Sequence, residues 1–417
     1  MLSFILAATL SAAVSSANNT LVLTADRLLD VETGKLLSPG VVVVKDKQIV
    51  AVNPDQLPES AEIVALGDAT LLPGLIDMHT HITQEMMDDW GHAPVTQAPT
   101  DAALRGARNA QKTLHAGFTT IRDLGAGGFA DVAVMRAINS GIIEGPDIFP
   151  SAHAVGITGG HCDVTGLVPE VAEKGPEQGV ADGKEAILRA IRYQIKHGAK
   201  VIKTCATAGV MSRGASVGNQ QYSDEELHTI VAEASRQGVK VAAHAHGING
   251  ILAAVEAGVD SIEHGTIMTR KIARAMKKNG TFLVPTVYLI ETFDLTSVPD
   301  DIRKKAAVIG REAYAGLELA IREQVPIAYG TDTGVIPHGD NGKQFAVLVN
   351  HGMSPINAIR SATLNAAKLL GVEDRGRLAP GLRADIIAVT GNPLKDIQAM
   401  ESAQFVMKEG RIYLPLR

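Results

Sequence analysis

The chain has 417 residues, 46% of them hydrophobic and 20% charged, with a formal net charge of −6. That length and balance exclude a disordered chain and leave room for a large core and more than one structural unit. No basic run or stripe stands out, so nucleic acid is not an expected partner.

The first seventeen residues, MLSFILAATLSAAVSSA, join an apolar run to the small residues Ser15, Ser16 and Ala17. This is the pattern of a secretory signal with its cleavage site, although no Lys or Arg precedes the apolar run. The run is too short for a typical membrane span. The expectation is an exported protein, periplasmic or secreted, cleaved after Ala17; without a signal it would be cytoplasmic. No other segment reads as transmembrane, and no membrane partner is expected.

Residues 18–73 hold short strand patterns, LVLTADRLLD, GVVVVKDKQIVAV and AEIVAL. Residues 376–417 read alike, with ADIIAVTG and then AQFVMKEGRIYL, a strand, a Lys-Glu-Gly turn and a strand. Two β-rich ends around a different middle predict one small β-sandwich domain assembled from both termini.

The middle, 74–375, alternates. Its strand candidates are GLIDMHTHI, GFTTIRDLG, DIFPSAHAVG, AKVIKTCATAG, VKVAAHAHG, SIEHGTI, TFLVPTVY and PIAYGTDTG. Amphipathic helical stretches lie between most of them, such as DAALRGARNAQKTLHAG and GKEAILRAIRYQIKHGA. A third, SDEELHTIVAEASRQG, opens with Ser223 and has Glu226 three residues on, a capping-box start. Eight strands alternating with helices predict an α/β chain with a (β/α)8 barrel. A doubly wound sheet is the rival, and the count of eight favours the barrel. Cys162 and Cys205 are the only cysteines. They form no disulfide framework, and two buried thiols are expected rather than a bridge.

In the first barrel strand His79 and His81 stand two apart, so both imidazoles face the same space. An isolated His-x-His is more often a pair of satisfied core or surface histidines than a metal site. Here His79, His81, Lys203, His244, His264 and Asp332 all fall near C-terminal ends of predicted strands, the rim where this fold builds its active sites. Core packing explains such a convergence poorly, and His79 and His81 read as metal ligands.

The words DMHTH, VIKT, AAHAHG, IEHG and GTD on strands one, four, five, six and eight resemble the amidohydrolase superfamily in its two-metal, lysine-bridged form. The flanking words TGGH, ATAGVMS, QYSDEEL and HAHGINGI are most similar to the Xaa-Pro dipeptidase and carboxypeptidase-like clade, with ochratoxin-degrading amidohydrolases among similar members. The resemblance covers nearly the whole chain, including the closing GRLAPGLRADIIAV.

The resemblance implies that His79, His81 and Asp332 hold the more buried metal and that His244 and His264 hold a second. Lys203 would bridge them as a carbamate (N6-carboxylysine) formed with CO2, because an ammonium has no lone pair to give a cation. Imidazole and carboxylate donors without thiolate suit two Zn²⁺, with Mn²⁺ or Co²⁺ as substitutes. A bridging hydroxide would attack the carbonyl, with Asp332 as ligand and general base. His246 shares strand parity with His244, so either could ligate. His244 is preferred because it ends the apolar run, leaving His246 to support the site from outside the ligand set.

The implied substrate is a small amide or peptide whose leaving group is an amino acid with a free carboxylate. His161, Arg213 and Tyr222, on loops, are candidates to read that carboxylate. The acyl side stays open. Relatives of this clade also imply a homo-oligomer, octamers among them. Two other readings are a one-metal deaminase or imidazolone-type hydrolase, and a non-catalytic metal-binding scaffold. Lys203 counts against the first and the full ligand set against the second.

Overall fold

The computed structural model describes residues 20–86, 93–212, 216–292, 294, 296 and 298–415. The segment read as a signal, residues 1–17, lies outside the described residues, as does Arg213. No helix among the described residues is long and apolar enough to cross a membrane.

The chain enters through seven short strands: β1 (Thr20–Ala25), β2 (Arg27–Asp30), β3 (Lys35–Leu37), β4 (Gly40–Lys45), β5 (Gln48–Val52), β6 (Glu62–Ala65) and β7 (Ala69–Pro73). Gly74 then takes it into the barrel; a Cβ at Gly74 would lie 2.2 Å from Thr119 Oγ1, so only glycine lets the chain pass there.

The barrel strands are β8 (Leu75–Thr80), β9 (Phe118–Asp123), β10 (Asp147–Pro150), β11 (Val201–Cys205), β12 (Lys240–Ala245), β13 (Ser261–His264) and β14 (Phe282–Val284). They are parallel, in the runs β10-β9-β8 and β11-β12-β13-β14, and a bridge between Val155 and Thr204 joins the runs. The eighth predicted strand, PIAYGTDTG, is less regular than expected. It closes the ring through single parallel bridges, Ile327 to Leu283 and Thr333 to Thr80. The cause lies at its end: Asp332 has φ 64°, a left-handed conformation that breaks the extended backbone. Backbone hydrogen bonds still hold this segment to β8, Met78 N to Tyr329 O and Asp332 N to His79 O, both 2.8 Å.

Helices such as Gly183–His197 and Asp224–Arg236 turn one apolar stripe to the strands, Leu227, Ile230 and Ala234 in the second. The capping box is formed: Ser223 Oγ accepts from Glu226 N at 3.3 Å, and Ser223 N donates to Glu226 Oε2 at 2.9 Å. Such a cap is worth about 1 kcal/mol.

After the barrel come β15 (Ile386–Thr390), β16 (Ala403–Lys408) and β17 (Arg411–Leu414). They join strands from the N-terminal part in a sheet ordered β17-β16-β15-β7-β2-β3, which faces a second sheet, β5-β4-β1-β6. Period-two alternation decides what each face meets. Leu28, Leu71, Ile386 and Phe405 pack against Leu23, Val42 and Ile49 of the second sheet. Their neighbours Leu29, Leu72, Ile387 and Val406 pack instead into the core shared with the barrel. The composite β domain is therefore one wall of the barrel's own core. Asp147, at the start of β10, reinforces the joint by accepting ion pairs from Arg375, Arg383 and Lys408 at 2.7–2.8 Å. Burial acts to raise its pKa, but the three cations hold it well below the usual carboxylate range.

Candidate active site

At the C-terminal rim the strand ends bring His79 (β8), Lys203 (β11), His244 (β12), His264 (β13) and Asp332 together, with His81 just beyond β8 and His246 just beyond β12. The ring centroids of His79 and His264 lie 5.1 Å apart, and those of His244 and His264 4.7 Å apart. The donor atoms of His79, His264 and Asp332 all lie within 4.8 Å of one another, as do those of His244, His246 and His264. His246 thus stands as near the centre as His244 does.

Four of the rings are aimed by a ring nitrogen's hydrogen bond. His79 Nδ1 pairs with Glu263 Oε2 at 2.8 Å and His81 Nδ1 with Gly125 O at 3.3 Å. His264 Nδ1 meets Thr286 Oγ1 at 2.7 Å, and His246 Nδ1 meets Thr266 Oγ1 at 2.8 Å. Because a carboxylate and a carbonyl only accept, His79 and His81 carry their protons on Nδ1 and leave Nε2 bare. Those two Nε2 atoms lie 3.5 and 3.3 Å from Asp332 Oδ1, a buried oxygen with no hydrogen-bond partner among the described residues. His244 Nε2 is likewise buried without a partner.

Burial, aided by the positive charge of Lys203, pushes His79 down to about 4, against the pull of Asp332 and Glu263. Burial and the neighbouring imidazoles drive His244 and His264 well below their ordinary value. His81 goes the other way: burial acts to lower it, but Asp332 and Asp123 raise it above its ordinary value. The neutral rings of His79, His244 and His264 and an orphaned carboxylate oxygen make a donor set that fits divalent cations.

Lys203 is 4% exposed, and its ammonium forms no hydrogen bond or ion pair among the described residues. Burial lowers its ammonium pKa to about 8, with Arg122 acting the same way and Glu263 and Asp332 opposing. His264, φ 68°, and Asp332, φ 64°, are both left-handed. Such conformations cost about 1–3 kcal/mol each in non-glycine residues and mark backbone held for a purpose. The left-handed turn at His264 lets consecutive residues share one space: Glu263 and His264 both reach His79.

A cavity of about 570 Å³ opens above these groups. Its walls include Leu124, Met211, Pro285, Leu289, Ile290 and Ile309, and its cations besides Lys203 are Lys174 and Arg311. Of the residues expected to read a carboxylate, His161 lines the cavity, with its ring centroid 4.1 Å from that of His244. Tyr222 does not reach it: the ring is fully buried in the main core and the hydroxyl donates to Ala181 O at 2.9 Å. The two cysteines are joined in a disulfide, Cα–Cα 5.8 Å, and are not the thiols expected. The loop after β10 folds back onto β11 and brings Cys162 to Cys205 across 43 residues of sequence.

The profile of the Amidohydrolase family matches residues 70–413. The chain belongs to the amidohydrolase family. It is 36% identical to the ochratoxinase of Aspergillus niger over 367 residues, 82% of this chain and 75% of that protein. The crystal structure of a Xaa-Pro dipeptidase with bound methionine matches 95% of this chain and 100% of its own, at 37% identity and TM-score 0.91. The crystal structure of the A. niger ochratoxinase matches 96% of each chain at 32% identity and TM-score 0.85.

This amidohydrolase also holds functional residues that sequence reading passed over. Glu263, fully buried, takes Arg122 Nη2 at 2.8 Å and Ser261 Oγ at 2.5 Å besides His79. Burial opposes its charge, yet Arg122 and His79 bring its pKa down to about 2. Asp77, also buried, accepts from Thr331 Oγ1 at 2.6 Å and Asn341 Nδ2 at 2.8 Å, fastening the segment that carries Asp332. The signal for them was a charge inside an apolar strand run: Asp77 in LIDM, Arg122 in TTIRD, Glu263 in SIEH.

Breaking a buried pair leaves a charge without solvent, so Arg122→Met is expected to lower stability by about 3–5 kcal/mol. Chemical denaturation measures this; a loss of only about 1 kcal/mol, as for an exposed pair, would refute it.

Proposed function

We propose that this amidohydrolase cuts an amide bond to release a C-terminal amino acid from dipeptides or N-acyl amino acids, ochratoxin-type amides included. The observation that carries the reading is the cluster of imidazoles around a carboxylate at the floor of a largely apolar cavity, with His244 Nε2 and Asp332 Oδ1 buried and unpaired among the described residues. Relatives named as a Xaa-Pro dipeptidase and an ochratoxinase support it.

In this reading His79, His81 and Asp332 would hold one divalent cation and His244 and His264 a second, with Lys203, as a carbamate, supplying further oxygen ligands. Zinc suits the donor types, with Mn²⁺ or Co²⁺ as substitutes; when bound, the ions supply Lewis acidity at the carbonyl and acidify water. Asp332 takes the proton from the attacking water and passes it to the leaving amine nitrogen. Leu124, Leu289, Ile290 and Ile309 exclude bulk water and receive the apolar acyl part. His161, whose Nδ1 is buried without a partner, faces the substrate. Lys174 and Arg311 supply positive charge for the leaving group's carboxylate. The disulfide and the apolar N-terminal segment together support export to an oxidising compartment.

Elemental analysis tests the metal half: two ions per chain support the reading, one favours a deaminase-type site, and an absence of metal overturns it. The substrate half is tested by comparing an N-acyl amino acid with its C-terminal amide. Each charge-assisted hydrogen bond to the carboxylate is worth about 1.5–3 kcal/mol, so kcat/KM should fall roughly 10- to 100-fold on amidation. Lys174→Met and Arg311→Met should narrow that gap by acting on the acid alone. Equal rates for acid and amide in the unaltered protein would leave a general amidase or esterase.

A further inference from the structure

We propose that the Cys162–Cys205 disulfide positions His161 for substrate, so that turnover depends on this pair being oxidised. The inference rests on reading the cavity as a hydrolytic site and adds a covalent device to it.

Strand β11 grips the loop after β10 twice. At its root, Val155 N donates to Lys203 O at 2.8 Å and Cys205 N donates to Val155 O at 3.2 Å. The chain then turns, with Gly160 N donating to Ile157 O at 2.9 Å, and returns so that Cys162 bonds to Cys205. The return runs close against the root: a Cβ on Gly156 would sit 2.5 Å from Cys162 Cβ. His161 is the residue just before the bond, and Cys205 is two residues from Lys203 on the same strand. Both half-cystines line the cavity beside His161, Lys203 and His244.

Among the described residues the His161 ring has packing but no polar anchor. It lies over Gly209, where a Cβ would come within 2.4–2.6 Å of three ring atoms, and against His244. Its Nδ1 is buried and unpartnered. The loop's other ties are hydrogen bonds, among them Gly156 N to Gly179 O at 3.0 Å and Ala181 N to Gly156 O at 2.9 Å at its root, Thr158 to Asp182 at 2.6 and 3.0 Å, and His161 N to Gln221 Oε1 at 3.1 Å. The covalent link is thus what holds the ring's own end of the loop to the strand that carries Lys203. Groups that meet a substrate tolerate little displacement; about 1 Å can cost 10²-fold in rate.

The test uses the full-length metal-loaded protein with an N-acyl amino acid substrate. The disulfide is cleaved with a water-soluble phosphine: the S–S bond breaks, two thiols form, and the phosphine is oxidised to its oxide with oxygen from water. A phosphine is chosen because thiol reductants bind zinc. The double substitution Cys162→Ser/Cys205→Ser is the second route, and both are repeated in a His161→Ala background.

With His161 present, loss of the bond should lower kcat/KM on the order of 10- to 100-fold at unchanged metal content. In His161→Ala it should cause no further loss. Amide hydrogen exchange should quicken in residues 156–166 and stay constant in β12 and β13. Equal activity with and without the bond overturns the proposal, as does the same loss in the His161→Ala background, which marks mere structural support. If the oxidised protein hydrolyses no such substrate, the hydrolase reading fails by itself. Exchange then decides the tether: unchanged protection of 156–166 on reduction overturns it, and local deprotection supports it.

Discussion

Asp332→Asn is expected to lower kcat by about 10²-fold or more, the scale of a general base. The substitution isolates the chemistry. Asparagine keeps the shape and one carbonyl oxygen, so Oδ1 can stay where it now lies, 3.3 and 3.5 Å from the imidazoles of His81 and His79. It also tolerates the left-handed backbone at this position, φ 64°, better than alanine would. What it cannot do is accept a proton. Burial works against the charge on Asp332, but His79, His81 and His264 hold its pKa far below the ordinary carboxylate range. Asp332 is thus ionised at neutral pH, as the proposed role requires. Steady-state kcat at saturating substrate, with metal content and thermal midpoint as controls, makes the measurement. An unchanged kcat would remove Asp332 from proton transfer.

Lys203→Ala is expected to lose at least one metal per chain and to lower kcat by at least about 10²-fold, since even the supporting partners of a ligand act on a 10- to 100-fold scale. A lysine at this depth needs a reason. It is buried, unpaired and surrounded by histidines, and burial brings its ammonium down to about 8. At slightly alkaline pH a substantial fraction is the free amine that can react with CO2. The resulting carbamate would exchange a misplaced cation for an anion with two oxygens, which the surrounding donor set suits. The alanine variant removes the chain beyond Cβ, so a short carboxylic acid added with metal should enter the gap and restore part of the activity. Elemental analysis and rescue are read together. Full activity with two bound metals in the variant would rule the bridge out.

Much of this protein is written in local pattern, because strands and helices impose periods that short stretches of sequence carry. The parallel strands are buried on both faces and stand out as apolar runs such as VKVAA, ending in histidines whose parity already says they share a space. His79, His81, Lys203, His244, His264 and Asp332 could be gathered to one rim from the sequence by itself, since the barrel puts every strand end there. The capping box at Ser223 was legible for the same reason, all its partners lying within four residues. What only the tertiary structure decided are contacts between residues far apart in the chain. Arg122 and Glu263 are 141 residues apart, and nothing near either says that each charge buries the other. Tyr222 sits beside a helix start that reads as exposed, yet the neighbouring layer covers it. Cys162 and Cys205 pair because a loop turns back on its own strand, a path set by Gly156, Gly160 and the packing around them, and no spacing rule for two cysteines encodes that return.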